Sequence, residues 1–204
     1  MSGPDRLQSD RLRADVGQVT TIGSEIVVLE ETESTNDAVR DMAAKGCPEG
    51  LVVFAEYQTA GRGQRENRWV SAPGKALCFS VLLRPELPIE DSARLTQWAA
   101  ETVAATIQSS CGIEAVIKSP NDIYVRGRKV AGVLVEMKAQ PRAAHLAVLG
   151  IGLNVNQAVE DFPLELRERA TSLAIVTGSR QDRHPLAVAL LRDLDQTYQR
   201  IARR

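Results

Sequence analysis

A short turn constrains the fold of this chain more than any other local feature. The residues RGR at 126–128 separate two mostly apolar, β-branched runs, 123–125 and 129–136. A turn this short joins neighbouring antiparallel strands. Elsewhere, apolar residues recur at helical spacing over 95–107 and 186–201. Strands in hairpins together with long helices predict an α+β fold, a mixed β-sheet backed by helices.

Further apolar or β-branched runs predict strands at 25–30, 51–56, 77–83, 113–118 and 145–150. The segment 150–156 is typical of the end of a strand, with small residues that leave room for a ligand. Internal repeats and Pro/Gly/Ser-rich linkers are absent from the sequence. We therefore expect one domain over residues 1–204, with 1–22 as an N-terminal, partly helical arm.

A short helix is predicted after the first strand. Ser34, with Asp37 three residues later, resembles a capping box, and an apolar stripe at 38–43 follows. Gly46 is a natural C-terminal stop. Considered alone, the polar residues at 33–36 are better explained as this cap than as a binding site.

The composition excludes several classes of protein. The 25 basic and 26 acidic residues give a net charge of −1, whereas a protein that mainly binds nucleic acid needs a clear cationic excess. The apolar runs fall short of the roughly 18 residues that a membrane helix needs. The three cysteines are far apart and form no zinc motif with the two histidines. We expect Cys78 to be a buried, reduced thiol, which favours a cytoplasmic protein.

A long loop at 58–74 combines glycines with charged side chains and has no periodicity. Glycines let a backbone approach a phosphate, and arginines supply fixed forks of hydrogen-bond donors. The loop differs from a dinucleotide-binding GxGxxG motif, because Glu66 stands at the third glycine. The chain also lacks a P-loop. A solvated turn explains the loop equally well when it is considered alone.

Two polar positions and one lysine follow the predicted strand at 113–118. Asp122 can hold Mg²⁺, Asn121 can orient a neighbouring group, and Lys129 opens the next strand. The alternative is that Asn121 and Asp122 are turn residues and Lys129 an edge-strand charge.

Five motifs, in this order, resemble the catalytic domain of biotin protein ligases: STN at 34–36, QTAGRG with RW at 58–69, KSPND at 118–122, RKVAGVLVE at 128–136 and GIGLNVN at 150–156. The resemblance runs from about Glu25 to the final helix. It implies the fold of the class II synthetase-like biotin/lipoate ligases. It also implies an enzyme that joins biotin and ATP into biotinoyl-5'-AMP and then transfers biotin to a lysine of a biotin carboxyl carrier domain.

The resemblance also implies roles for individual residues. Lys129 and Arg62 would be catalytic, because they would contact the carboxylate and the α-phosphate. The implied biotin-binding residues are Ser34, Thr35, Asn36, Gln58, Arg62, Gly63, Lys129, Gly132 and Gly152. The implied ATP-binding residues are Gly61, Arg62, Arg65, Trp69, Asn121, Lys129 and Asn154. Asp122 would bind Mg²⁺, and the loop at 61–68 would order when ligand is bound.

The chain departs from the family pattern at several points. Family members usually carry arginine where Gln64 stands, glycine where Glu66 stands and tryptophan where Ser119 stands. We expect Ser119 to widen the biotin pocket. We also expect the chain to lack a C-terminal domain and a DNA-binding helix-turn-helix, while a homodimer is compatible with the resemblance.

Three other hypotheses remain open. A lipoate or octanoate transferase shares the fold, but the STN and GRG motifs favour biotin. A non-catalytic biotin-binding remnant would bind ligand without labelling a carrier. In a plain globular domain, the motif residues would only cap helices and form turns.

Gln64 generates a first testable prediction. Glutamine keeps a hydrogen bond but loses the charge-assisted contact of arginine, so we expect biotinoyl-adenylate to be held more loosely. The Gln64→Arg variant should therefore release the intermediate more slowly than the natural protein. Equal dissociation rates for the two proteins would contradict this.

Overall fold

A computed structural model describes residues 5–65, 67–139 and 145–202. Its strands are β1 (Glu25–Thr32), β2 (Leu51–Gln58), β3 (Ala76–Leu83), β4 (Val116–Lys118), β5 (Asp122–Val125), β6 (Arg128–Lys138) and β7 (Leu146–Asn154). Its α-helices are α1 (Ser9–Val16), α2 (Thr35–Ala44), α3 (Ser92–Cys111), α4 (Leu173–Thr177) and α5 (Arg183–Ala202). Single 3-10 turns lie at Ile89–Asp91, Val159–Asp161 and Leu164–Leu166.

The strands form one mixed sheet in the order β1-β2-β3-β7-β6-β5-β4. β1 and β2 are parallel because α2 connects them as a crossover, and the other neighbouring pairs are antiparallel. The predicted α+β class and mixed sheet are confirmed. The tight turn is confirmed as well: Arg126 and Gly127 both have positive φ, 49° and 77°, as a two-residue hairpin turn requires.

The two faces of the sheet are covered differently. Helices α3 and α5 pack together over one face, which carries the larger hydrophobic cluster, with Phe54 and Phe79 stacked inside it. The opposite face carries α2 and a smaller cluster that includes Val39, Val53 and Val148. Because α2 covers only part of this face, the rest is available for a binding site.

Three local predictions differ from the structure. The strand predicted at 113–118 is paired only over β4. The strand predicted at 145–150 is too short, because β7 continues through Gly150 and Gly152, paired on both sides, and ends at Asn154, inside the segment predicted as a strand end. Glycines in such a central strand mark a close approach by another group.

Ser34 occupies the N-cap position of α2, as predicted, but the predicted capping box is wrong. Ser34 makes no side-chain cap hydrogen bond. The N–H of Thr35 instead donates to Oε1 of Gln58, at 2.8 Å, and Asp37 is ion-paired with arginines. The amide at the end of β2 therefore satisfies the helix terminus, which a local sequence pattern does not reveal.

The N-terminal arm is tied to the domain by buried charges. Asp195 of α5 accepts hydrogen bonds from the backbone N–H groups of residues 20–22. The Arg183 side chain, 2% exposed, donates to Glu56 at 2.7 Å and lies 3.5 Å from the carboxylate of Asp5. Arg183 thus joins the arm, the sheet and α5.

We predict that Arg183→Ala destabilises the protein by about 3–5 kcal/mol, because it leaves the nearly buried carboxylate of Glu56 without its cation and that of Asp5 with only the exposed Arg180. Arg180→Ala is the matched control. Arg180 pairs with the same Asp5 at 2.8 Å, but its side chain is 68% exposed, so its removal should cost about 0–1 kcal/mol. Urea unfolding of both variants measures the difference, and equal free energies of unfolding would contradict the prediction.

Within the described ranges, no helix is both long and apolar enough to cross a membrane. The three cysteines are free, and Cys78 is buried as predicted. Burial raises the pKa of the Cys78 thiol, so the thiol is neutral at pH 7.

Candidate active site

A cavity of about 460 Å³ opens on the sheet face that carries α2. Its size is that of a small-molecule site. The cavity brings together all but one of the predicted site residues: Ser34, Thr35, Asn36, Gln58, Arg62, Gly63, Arg65, Trp69, Asn121, Asp122, Lys129, Gly132, Gly152 and Asn154. The exception, Gly61, lines a second cavity on the other side of the loop that begins there.

Glycines on the central strands form the floor of the cavity. Gly132 of β6 and Gly152 of β7 are directly paired, and the indole of Trp69 lies on them. A Cβ atom at Gly152 would be 2.4 Å from Cε2 of Trp69. The missing side chains thus make room for the indole ring in this structure.

The glycine-arginine loop folds over the cavity as a small hairpin. Arg62 and Arg68 form an isolated antiparallel bridge, and the N–H of Gly63 donates to the carbonyl of Asn67 at 2.7 Å. Glu66 lies outside the described residues. Closure of the loop on a ligand stays a prediction.

A chain of buried polar groups runs along one wall. Gln58 Oε1 accepts from the Thr35 hydroxyl at 3.1 Å, and the hydroxyls of Thr35 and Ser80 lie 2.7 Å apart. Ser80 then donates to Oδ1 of Asn36 at 2.5 Å. A Cβ atom at Gly150 would be 2.3 Å from the same Oδ1, so this glycine makes room for Asn36. The chain presents fixed donors and acceptors, as a neutral polar ligand group requires.

Arg62 lies at the boundary between the two cavities and is paired with acidic residues. Its guanidinium contacts Asp37 and lies 3.1 Å from Oε2 of Glu136. Arg40 pairs with the same two carboxylates. Burial would raise the pKa of Glu136, but hydrogen bonding by Asn36 and the charges of Arg62 and Arg40 lower it below its ordinary value. Glu136 is therefore ionised at neutral pH.

Lys129 lies elsewhere on the wall of the same cavity. Its Nζ is 2.6 Å from Oδ1 of Asp122 and 5.9 Å from the centre of the Trp69 ring. Its backbone is bonded in both directions to a following loop: it donates to Arg169 and accepts from Thr171, at 2.8 Å each. The position of Lys129 is thus fixed from two sides.

The model of the biotin/lipoate A/B protein ligase family matches residues 28–154, more than half of the chain. The chain belongs to this family. The matched range contains every residue to which the motifs assigned a role.

Named relatives agree with the family. The chain is 35% identical to the bifunctional ligase/repressor BirA of Bacillus spizizenii, over 96% of its own length and 60% of that protein. It is 36% identical to the biotin–[acetyl-CoA-carboxylase] ligase of Mycobacterium tuberculosis, over 82% of its length and 62% of that protein. The chain thus spans about 60% of the length of these relatives.

Solved structures show the same fold. The Aquifex aeolicus biotin protein ligase in complex with biotin and ATP superimposes with a TM-score of 0.76 and 29% identity. The match covers 88% of this chain and 72% of that one. The fold predicted from the motifs is confirmed as that of this family.

Two of the residues predicted to bind ATP are hydrogen-bonded to backbone carbonyl groups in this structure. Asn121 donates to the carbonyl of Val133 at 3.0 Å, and Asn154 donates to that of Thr171 at 3.0 Å. Arg65 is exposed, with a positive φ of 52°. These residues line the cavity, and their roles toward ATP stay predictions.

The predicted magnesium ligand Asp122 is paired with Lys129, and the described part of the chain contains no group of three or more side chains suited to a metal ion. A protein site for Mg²⁺ beside a nucleotide commonly supplies only one or two carboxylates, while phosphate oxygens and water complete the coordination. One carboxylate on the cavity wall fits such a site, and the role of Asp122 toward Mg²⁺ stays a prediction.

Sequence reasoning missed several residues of the site. Glu136 lies on the same strand face as Gly132, four residues earlier, and Ser80 shares the face of Cys78. The alternation of strand side chains could have found both. Arg169 and Ala170 also line the cavity, and their distance in sequence from Lys129 left no such signal.

We predict that Gly152→Ala displaces the Trp69 indole, because the new methyl group would overlap the ring. Gly132→Ala is the matched control, since its Cβ would meet Trp69 at 3.5 Å, an ordinary contact, and only the flexible end of Lys129 would lie closer, at 3.3 Å. Indole N–H resonances report the change, because the chain contains two tryptophans. The signal of Trp69 should shift strongly in the first variant and little in the second, while that of Trp98 stays in place. An unmoved Trp69 signal in Gly152→Ala would contradict the close packing.

Proposed function

We propose that this chain is an ATP-dependent biotin–protein ligase that forms biotinoyl-5'-AMP and transfers biotin to a lysine of a biotin carboxyl carrier domain. The observation that carries the proposal is the placement of Arg62 and Lys129 on the wall of one cavity. One relative is named a biotin–[acetyl-CoA-carboxylase] ligase and another a bifunctional ligase/repressor, and a structural neighbour is a biotin protein ligase in complex with biotin and ATP. The motif residues line the same cavity.

The first step would join two anions. A carboxylate oxygen of biotin attacks the α-phosphorus of ATP, and the bond from that phosphorus to pyrophosphate breaks. Arg62 and Lys129 would draw the two anions together and stabilise the charge that grows on the α-phosphate. Mg²⁺, bound with ATP, would neutralise the leaving pyrophosphate.

The second step would transfer the acyl group. The neutral amine of a carrier lysine attacks the acyl carbon of the anhydride, the bond from that carbon to the phosphate oxygen breaks, and AMP leaves. The amine loses one proton as the amide forms. Lys129 and Arg62 would stabilise AMP as it departs, and the hairpin at 61–68 would limit the access of water to the intermediate.

The buried polar side chains along the cavity wall support biotin, rather than lipoate, as the acid that is activated. Ser34, Thr35 and Asn36 are each less than 5% exposed, and Gln58 is bonded to Thr35. This set offers both donors and acceptors, which the ureido group of biotin needs and the dithiolane of lipoate does not. Selection for biotin over lipoate would therefore reside here.

The direct test incubates the protein with biotin, MgATP and a biotin carboxyl carrier domain, and the mass of the carrier is measured. We expect one added biotinyl group. ATP–pyrophosphate exchange with biotin and with lipoate, measured separately, distinguishes the rivals. Exchange with lipoate alone would favour a lipoate ligase, and binding of biotin without exchange would favour a non-catalytic protein.

Lys129→Ala should lower the rate constant of biotin-dependent exchange by about 10²–10³-fold, the usual effect of removing one group that stabilises transition-state charge. The matched control is Lys118→Ala. In the natural protein, Nζ of Lys118 lies 5.4 Å from the ring centre of Tyr124. This variant should keep near-normal exchange, because Lys118 does not line the cavity. Unchanged exchange in Lys129→Ala would contradict the proposal.

A further inference from the structure

Glu136 occupies a special position among the charged groups of the site. Its Oε2 atom accepts from Nδ2 of Asn36 at 2.5 Å and from Nη2 of Arg62 at 3.1 Å. Its other oxygen, Oε1, is 3.2 Å from Arg40. One carboxylate oxygen of Glu136 therefore accepts hydrogen bonds from both the Asn36 amide and the Arg62 guanidinium.

We propose that Glu136 is a positioning residue of the adenylate-forming site, which orients the amide of Asn36 and holds Arg62 at the cavity wall. This inference rests on the proposed function for its kinetic consequences. It assigns a role to the last residue of the RKVAGVLVE motif at 128–136, for which the resemblance implied none.

The orientation of the Asn36 amide depends on Glu136. Asn36 is fixed from two sides, since Ser80 donates to its Oδ1 and Glu136 accepts from its Nδ2. The amide therefore cannot turn over without losing two hydrogen bonds, and the face that it shows to the cavity is set. Ser80 is fully buried and belongs to a central strand, so it is a rigid anchor for this series of hydrogen bonds.

Arg62 has two acidic partners that belong to different elements of the fold. Nη1 contacts Asp37, on the helix α2, while Nη2 contacts Glu136, on the long strand β6. A guanidinium has five N–H donors. Arg62 can therefore exchange Asp37 for an oxygen of the ligand while it keeps Glu136. Arg40 remains beside the carboxylate that is released, so that carboxylate keeps a cation.

Two variants separate the two halves of the role. Glu136→Gln keeps an oxygen that accepts from Asn36 but loses the charge that holds Arg62. Affinity for biotin in the absence of ATP should change little, while kcat for biotin-dependent exchange should fall about tenfold, the effect of losing a hydrogen bond between charged groups. Ser80→Ala should do the reverse, raising the Kd for biotin about tenfold with little change in kcat.

The matched control is Glu31→Gln, an exposed carboxylate on the edge strand β1 that lines neither cavity. It should leave Kd and kcat unchanged. A purely structural Glu136 would lower the melting temperature in Glu136→Gln without changing kcat, and this result would overturn the proposal. A rise in kcat would overturn it too, since Glu136 would then restrain Arg62.

A measurement without substrate keeps this test separate from that of the proposed function. Amide hydrogen exchange of residues 61–65 should be several-fold faster in Glu136→Gln than in the natural protein, because Arg62 anchors the loop through Glu136. Glu31→Gln should match the natural protein. If the natural protein shows no ATP–pyrophosphate exchange with either biotin or lipoate, the proposed function is wrong. The amide measurement then decides alone: equal exchange rates would show that Glu136 does not hold Arg62.

Discussion

The site depends on two basic side chains that the fold holds beside one cavity by ion pairs. Arg62 is balanced by Asp37 and Glu136, and Lys129 by Asp122. Unpaired cations on a partly buried wall would be costly, whereas paired ones can be held in place until an anionic ligand arrives. The pairs lie at different places on the wall, so a molecule with a carboxylate and a phosphate can meet both.

The sheet makes this arrangement possible because its central strands lack side chains at selected positions. Gly150 receives the amide of Asn36, and Gly152 receives the ring of Trp69. Both glycines lie on the face that α2 covers in part. The opposite face is filled by α3 and α5 with large apolar side chains, which gives the floor of the cavity a rigid support. The cavity and the larger hydrophobic cluster thus lie on opposite faces of one sheet.

The sequence predicted most of this framework for physical reasons. Long helices and the turn at 126–128 are encoded by local periodicity and by a glycine, and both were confirmed. The motif residues were brought to one cavity as expected. What failed depended on distant partners: the helix start at Ser34 is satisfied by Gln58, and the glycines of β7 fit groups from elsewhere in the chain. The role of Glu136 emerges only once Asn36 and Arg62 are seen around it.

The central claim is that Arg62 and Lys129, from different places on the cavity wall, both contact the bound molecule where the acid joins the nucleotide. A crystal structure with a non-hydrolysable sulfamoyl analogue of biotinoyl-adenylate tests it most directly. The account predicts that the guanidinium of Arg62 and Nζ of Lys129 each lie about 3 Å from oxygens of the acyl–sulfamoyl linkage. A linkage bound out of reach of either cation would contradict the account.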